Sequence, residues 1–433
     1  MISIAFLAPP PYNHPIPLFP GGTVQKDDIV TLTGEKDACP SDKFSRRKFF
    51  GTAAVAAAGA VVVPRLIGQE KAQDEKPPAA PPGDIKTNVE EVKGIPRVDT
   101  SLPGKYPGKV VRVATGANPV GKEIDRARVG EEVQAGLASL TGEDNVAKAW
   151  GQFFGPHDVV GIKVNPIGGK ILSTKPEVVD AVIAGLRTAG VKLENIVIWD
   201  RRHFQLEEAG FTETRFPGIR ILGTEMKGPN GEFYDDKGEL WAKDNIDRES
   251  LPYIAELEMK YDKETLPYMI NEGKVSYFTK IVTEKVTKIV NVPILKNAGA
   301  TTTCCLKNLA YGSISNTSRL HKIWMKSVAE PVAFPVLRDK VVLNIVDGLQ
   351  ACYDGGPGAN PKFIYDANVL LIGTDPVAVD AVAHEIVVKE RMARGVQQVD
   401  NRAKSAAFLG IAEALGLGVA ARDKITVNDV KLG

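Results

Sequence analysis

Five polar residues leave the carboxyl ends of apolar, strand-like runs in this chain, and their types suit the handling of a small charged molecule. Asn165 follows Gly161-Ile162-Lys163-Val164, Asp200 follows Ile196-Val197-Ile198-Trp199, and Lys296 follows Pro293-Ile294-Leu295. Asp347 follows Asn344-Ile345-Val346, and Asp375 follows Ile372-Gly373-Thr374. In open α/β sheets ligands bind outside the carboxyl ends of the strands, where loops converge and helix N-termini point their N–H groups. Polar residues also end strands for structural reasons alone, so the expectation rests on the set, reinforced by Lys163 just upstream of its exit. Lysines there bind an anion or serve as acid and base, and aspartates oppose them or hold a metal. Lys163, Lys296 and Asp380 are the candidate catalytic groups, and Asn165, Asp200 and Asp347 candidate ligand contacts.

Asp380 enters for a different reason. It stands among Val377, Ala378, Val379, Ala381, Val382 and Ala383, where an uncompensated carboxylate is costly, so a cation or a metal is expected beside it. Asp375 before Pro376 reads instead as an N-cap with proline in the first turn. The run from Lys296 to Asn308 is expected to be a loop of small and hydroxyl residues opening a helix. Thr302, Thr303, Lys307 and Asn308 would there cradle an anion together with backbone N–H groups, although a capped helix with solvated lysines accounts for the same residues. Arg319 and His321 complete the candidate ligand contacts, each isolated in sequence. Neither a Gly-rich phosphate loop, nor HExxH, nor GxSxG occurs, so nucleotide phosphates, zinc proteolysis and a serine nucleophile elbow are not indicated.

The elements that must position these groups alternate. Strand-like stretches at 110–114, 159–164, 195–199, 289–295, 341–346 and 369–373 are interleaved with helical patterns at 129–140, 146–154, 176–189, 303–310 and 376–392. This predicts an α/β fold with a mostly parallel or mixed central sheet and helices on both faces. Residues 225–274 break the rhythm and read as an inserted flap, or equally as surface decoration.

Of 433 residues, the first hundred or so do not read as a core, which leaves about 330 for the globular part. Lys+Arg 54 against Asp+Glu 53 gives a net charge of +1 with no basic block, so neither nucleic acid nor an anionic membrane surface is an expected partner. Cys39, Cys304, Cys305 and Cys352 match no zinc or ferredoxin spacing, and no intrinsic iron–sulfur cluster is expected. No other cofactor can be named. The three downstream cysteines leave at least one thiol unpaired within the chain, with a disulfide from Cys352 to Cys304 or Cys305 as an open alternative.

Ser45-Arg46-Arg47-Lys48-Phe49-Phe50 precedes an Ala/Gly-rich apolar run ending at Val63, too short for a stable transmembrane helix. It resembles a twin-arginine signal, which implies the twin-arginine translocation machinery as a partner and a periplasmic or extracellular destination, with retention by an uncleaved segment as the alternative. Residues 1–68 are accordingly the extension and signal, 69–94 a Pro-rich linker, and 95–433 the folded domain.

The motifs VVGIKVNPIGG, IVNVPILKNAGATTTCCLKNLAYG, NIVDG and GTDPVAVDAVA, in that order, resemble the DUF362 family in its twin-arginine-exported branch. More distantly the layout is similar to the amino-terminal domain of nickel-pincer lactate racemases. The resemblance implies no general reaction. Members often carry Lys-x-His where Lys296-Asn297-Ala298 stands here, so any role of that histidine is absent or moved to His321. Two functions remain open: an exported enzyme acting on a small anionic substrate, metal- or cofactor-dependent or not, and a non-catalytic protein that holds a ligand, metal or partner in the same cleft.

Overall fold

The computed structural model describes residues 84–116, 123–259, 273–298, 301–356, 358–396 and 406–433. All belong to the compact unit Pro77–Gly433. The expected signal segment and most of the expected linker lie outside the described residues.

The strands are β1 Lys109–Ala114, β2 Val160–Val164, β3 Ile196–Arg202, β4 Arg220–Glu225, β5 Ile246–Asp247, β6 Tyr253–Ile254, β7 Val275–Ser276 and β8 Phe278–Thr279. They continue as β9 Lys288–Val292, β10 Ile294–Ala298, β11 Thr301–Thr303, β12 Val341–Cys352, β13 Ile364–Tyr365, β14 Val369–Gly373 and β15 Thr426–Lys431. The helices are α1 Glu90–Lys93, α2 Arg126–Thr141, α3 Val146–Gly151, α4 Pro176–Thr188, α5 His203–Glu208, α6 Cys305–Ser313, α7 Trp324–Ala329, α8 Pro335–Arg338 and α9 Pro376–Ala393, with α10 spanning Ala407–Ala414.

One 11-stranded sheet organises the unit, with the path β15-β1-β14-β12-β9-β2-β3-β4 and with β10, β11 and β13 attached beside β12. Along the path every neighbouring pair is parallel except those made by β14, which runs antiparallel to both β1 and β12. The expected mostly parallel α/β architecture is therefore the observed one.

Side chains alternate across a pleated strand, so a sheet buried on both faces needs apolar residues at both parities. The strands meet that demand. Val111, Val113, Ile162, Ile198, Val290 and Ile372 enter one core with residues of α2, α3 and α4. Val110, Val197, Ile289, Val346 and Leu371 enter the other with residues of α6, α7, α9 and α10. Helix boundaries follow local chemistry. Asp125 caps α2 by accepting from Arg128 N–H, and Gly142, at φ 76°, ends it in the left-handed conformation that glycine adopts without strain. Proline occupies the first turn of α4 and α9, where its missing N–H removes no bond.

Two expectations need correction. The packed chain begins before residue 95, because Thr87 bridges to Ala255 and Val89 and Val92 are buried in the core. The insertion at 225–274 supplies β5 and β6, one strand of each of two small two-stranded sheets, whose partners β8 and β7 lie just beyond it.

Candidate functional site

Lys163 has the opposite parity to Ile162 and Val164, so it rises from the sheet toward the layer that contains α6. It is fully buried, with the Trp199 ring 5.5 Å from its ammonium. Its Nζ donates to Asp200 Oδ1, to Asn308 Oδ1 at 3.0 Å and to the Val164 carbonyl at 2.7 Å, three acceptors for an ammonium's three N–H groups. Burial lowers its pKa, and the Asp200 carboxylate opposes that shift.

A chain of buried amides extends from this pair across the sheet. Asn344 Nδ2 donates to the Thr374 carbonyl at 3.2 Å, Asn291 Nδ2 to Asn344 Oδ1 at 2.9 Å, and Asn308 Nδ2 to Asn291 Oδ1 at 2.8 Å. Asn165 Nδ2 then donates to Asn308 Oδ1 at 3.1 Å, while Asn165 Oδ1 accepts from Lys296 Nζ at 3.0 Å. Each amide donates in one direction and accepts in the other, which fixes its orientation and holds the lysine heads in place.

Above this floor lies a cleft of about 210 Å³ between the carboxyl ends of β2, β3 and β10 and the exposed side of α6. Lys163, Asn165, Asp200, Lys296, Lys307, Asn308 and His321, all candidates from sequence, line it together. Lys307, Asn308, Tyr311 and Gly312 reach it from α6 because residues three and four apart share a helix face. Arg201, Arg202, Gln205, Thr317 and Ser318 line it too and were not among the candidates. Arg201 and Arg202 continue β3 past its apolar run and share the carboxylate of Glu225, at 3.1 and 2.8 Å. Arg201 also donates to Thr317 Oγ1 and to the Tyr311 carbonyl. Gln205 Oε1 is enclosed and has no hydrogen-bond partner.

The cleft is cationic: five lysine and arginine side chains line it against the carboxylate of Asp200. Enclosure makes those charges expensive. Burial first, and then the nearby Lys307 ammonium, bring Lys296 down to about 7, and burial brings Lys307 down to about 8. His321 stands at the mouth, partly open to solvent, with its ring edge-on to Tyr311, 5.0 Å between centroids; partial desolvation against the cleft and then the Lys307 charge lower its pKa.

The remaining candidates do other work. Asp347 shares the parity of Ile345 and Leu349 and so faces α4, away from the cleft. It accepts from Lys175 N–H at 2.7 Å and Leu349 N–H at 3.0 Å, supplying a cap that the α4 N-cap residue Lys175 lacks. Asp380, expected to face a cation or metal, accepts from the Cys305 and Leu306 N–H groups at 2.6 and 3.0 Å and caps α6 from α9. That carboxylate fills the helix N-terminus expected to cradle an anion. Burial raises both aspartates to about 6 against those hydrogen bonds. Asp375 caps α9 as expected and accepts from Gly108 and Val419 N–H as well, but antiparallel β14 delivers it to the amino edge of its neighbours, opposite the cleft.

Thr302 pairs with His384 Nδ1 at 2.9 Å, and Thr303 lies in β11, which hairpins onto β10 where a loop was expected. Arg319 is buried and donates to the carbonyls of Ala255, Leu257 and Lys274 and to Ser276 Oγ, a structural clasp on the insertion. None of Asp347, Asp380, Thr302 or Arg319 lines the cleft, and neither does any described residue of 226–274.

Cys304, Cys305 and Cys352 are free and buried. Cys304 Sγ, Cys305 Sγ and an Asp380 oxygen lie within 4.8 Å of one another, but both carboxylate oxygens already accept N–H groups. Burial pushes Cys304 up to about 11 and raises Cys305 well above the usual thiol range. In the structure Asp380 serves this cluster as a hydrogen-bonded cap of α6.

The family model described as "Domain of unknown function (DUF362)" matches residues 160–385, just over half of the chain. The chain belongs to the DUF362 family. The matched span contains every residue lining the cleft, so the basic cleft lies wholly within the DUF362 region. No curated protein matches the chain. Among the described residues, no helix is long and apolar enough to cross a membrane.

Proposed function

We propose that this DUF362 protein is an exported enzyme that acts on a small anionic substrate in the Lys163–Lys296–Lys307 cleft. The observation that carries the reading is the excess of basic groups on an enclosed surface: Lys163, Arg201, Arg202, Lys296 and Lys307 line about 210 Å³ of space, opposed by the carboxylates of Asp200 and, behind the arginines, Glu225. Cations brought together out of water repel one another, and the fold sustains that cost where an anion repays it. Arg201 and Arg202 are held by Glu225 and so are oriented before any ligand arrives. The orphaned Gln205 Oε1 is an acceptor that a substrate hydroxyl would satisfy. Lys163, its three N–H groups taken by Asp200, Asn308 and the Val164 carbonyl, braces the floor of the cleft and does not contact the ligand directly. Lys296 and Lys307 exchange protons near neutrality and supply acid and base.

The binding half of the proposal is tested by titration calorimetry of the full chain with inorganic phosphate and small dicarboxylates. At least one anion should bind, and Lys307→Met should weaken it about tenfold or more, roughly 1.4 kcal/mol. Absence of binding by every anion at neutral pH would sink the reading. Export is proposed from Arg46-Arg47 and the weakly apolar run after them. Replacing both arginines with lysine should trap the protein in the cytoplasm, and unchanged export would remove that part.

A further inference from the structure

We infer that the ligand of the cleft is a small hydroxylated anion, a carboxylic acid or phosphate monoester that carries a neutral hydroxyl beside its charge. The inference rests on the proposed anion cleft and names its ligand class.

The fold serves some polar atoms of the lining and leaves others open. Lys163 Nζ uses its three N–H groups on Asp200 Oδ1, Asn308 Oδ1 and the Val164 carbonyl. Lys307 differs: half-buried, with the Tyr311 ring at 5.6 Å, its Nζ makes no hydrogen bond among the described residues. Arg201 directs Nε to Glu225 and Nη1 to the Tyr311 carbonyl and Thr317 Oγ1, while its Nη2 makes no hydrogen bond among the described residues. Ammonium and guanidinium donors of this kind match the oxygens of a carboxylate or phosphate.

Two acceptors are open as well. Gln205 Oε1 is enclosed and has no hydrogen-bond partner. Asp200 lines the cleft with 6% of its side chain accessible, and its one hydrogen bond among the described residues is the Oδ1 bond from Lys163, so Oδ2 receives no donor. Asp200, Arg201, Arg202 and Gln205 all line the cleft from the junction of β3 with α5, so guanidiniums and acceptors come from one short segment.

The open atoms are the mirror image of the ligand. A buried acceptor without a donor is costly, and native proteins pair nearly all such groups. A simple dicarboxylate brings no donor at neutral pH and leaves Gln205 unmet. A hydroxyl on the same skeleton donates to Gln205 Oε1 while the anionic group takes Lys307 and Arg201; Asp200 Oδ2 offers a second acceptor. An ammonium would also donate, but Lys163 already faces Asp200 and the other basic side chains repel a cation, which favours the uncharged donor. At about 210 Å³ the cleft is smaller than the roughly 300–1,000 Å³ of sites for drug-sized ligands, so the ligand is compact.

The test is titration calorimetry of the full chain at pH 7 with matched anions. Malate, succinate and aspartate share a skeleton and differ in a hydroxyl, a hydrogen or an ammonium; glycerol 3-phosphate is set against propyl phosphate. Malate should bind about tenfold or more tighter than succinate, or glycerol 3-phosphate than propyl phosphate by the same factor, and the pair that shows the difference identifies the acid or the ester. Aspartate should bind more weakly than malate. Gln205→Met keeps the length of the side chain and removes its acceptor. It should erase most of the hydroxyl preference with no loss of thermal stability, because that acceptor has no partner in the unliganded chain. Equal affinities within both pairs, a preference that Gln205→Met leaves intact, or aspartate binding tightest would each overturn the hydroxyl assignment and leave the anion cleft standing. If none of these anions binds, both fall.

Discussion

Replacing Lys163 with methionine keeps most of the side-chain volume and deletes the ammonium. The loss falls on Asp200, 4% exposed, whose carboxylate loses the counter-ion that faces it. Asn308 Oδ1 and the Val164 carbonyl each lose a donor at the same time. Breaking a buried ion pair by removing one partner costs about 3–5 kcal/mol, because the remaining charge stays desolvated. Lys163→Met should lower the stability of the full chain by that amount in equilibrium urea unfolding at pH 7. The double variant Lys163→Met, Asp200→Leu removes both charges and should recover most of the loss, since an apolar pair of similar volume is often neutral relative to a buried salt bridge. A single variant within about 1 kcal/mol of the parent would refute the reasoning, and so would a double variant less stable than the single one.

Three further outcomes follow from the same geometry. A Cβ on Gly312 would lie 2.1 Å from Lys163 Cε and 2.6 Å from its Nζ, so Gly312→Ala should push the lysine out of its pairing, cost about 1–3 kcal/mol in urea unfolding and weaken anion binding in calorimetry. Asp380→Ala removes a helix cap and no cleft group, so it should lower stability by about 1–2 kcal/mol while leaving anion affinity unchanged; lost affinity with unaltered stability would restore Asp380 to the site. Lys296 has a folded pKa lowered to about 7 from 10.5, so the unfolded chain binds more protons between those values and stability rises with pH across that window. Lys296→Met should remove its share of that rise, to which Lys163 and Lys307 also contribute, seen as parallel stability curves below pH 7 and diverging ones above it.

The layered core was legible because strands buried on both faces carry near-continuous apolar runs, as at Val369–Gly373 and, broken only by Asn344, at Val341–Val346. Edge elements were not: β15 is half-exposed and reads as polar, and β4 stands at the other edge of the sheet. Strand direction was equally invisible, since nothing in Val369–Gly373 marks it as the one antiparallel member of the path, and with it the edge to which Asp375 belongs. Lys163, Asn165, Asp200, Lys296, Lys307 and Asn308 could be grouped from sequence because each sits near a strand exit or on the first turns of α6, and they line one cleft. Asp347 and Asp380 were misread for a shared reason: a carboxylate in apolar sequence needs a partner, and backbone N–H groups of a distant helix N-terminus serve as well as a cation. Arg201 and Arg202 were missed although they directly follow Asp200, because the strand extends two residues beyond its apolar run. Gly312 could be found only from coordinates, as its role is the space it leaves for Lys163.

The anion cleft is tested most directly by crystals of the full chain soaked in selenate, with the selenium located from its anomalous signal. A selenium site within hydrogen-bonding reach of Lys307 and Lys296, lost in Lys307→Met crystals grown and soaked alike, is the expected result. Selenate confined to exposed lysines, with the space between Lys163, Lys296 and Arg201 holding only water, would contradict the assignment.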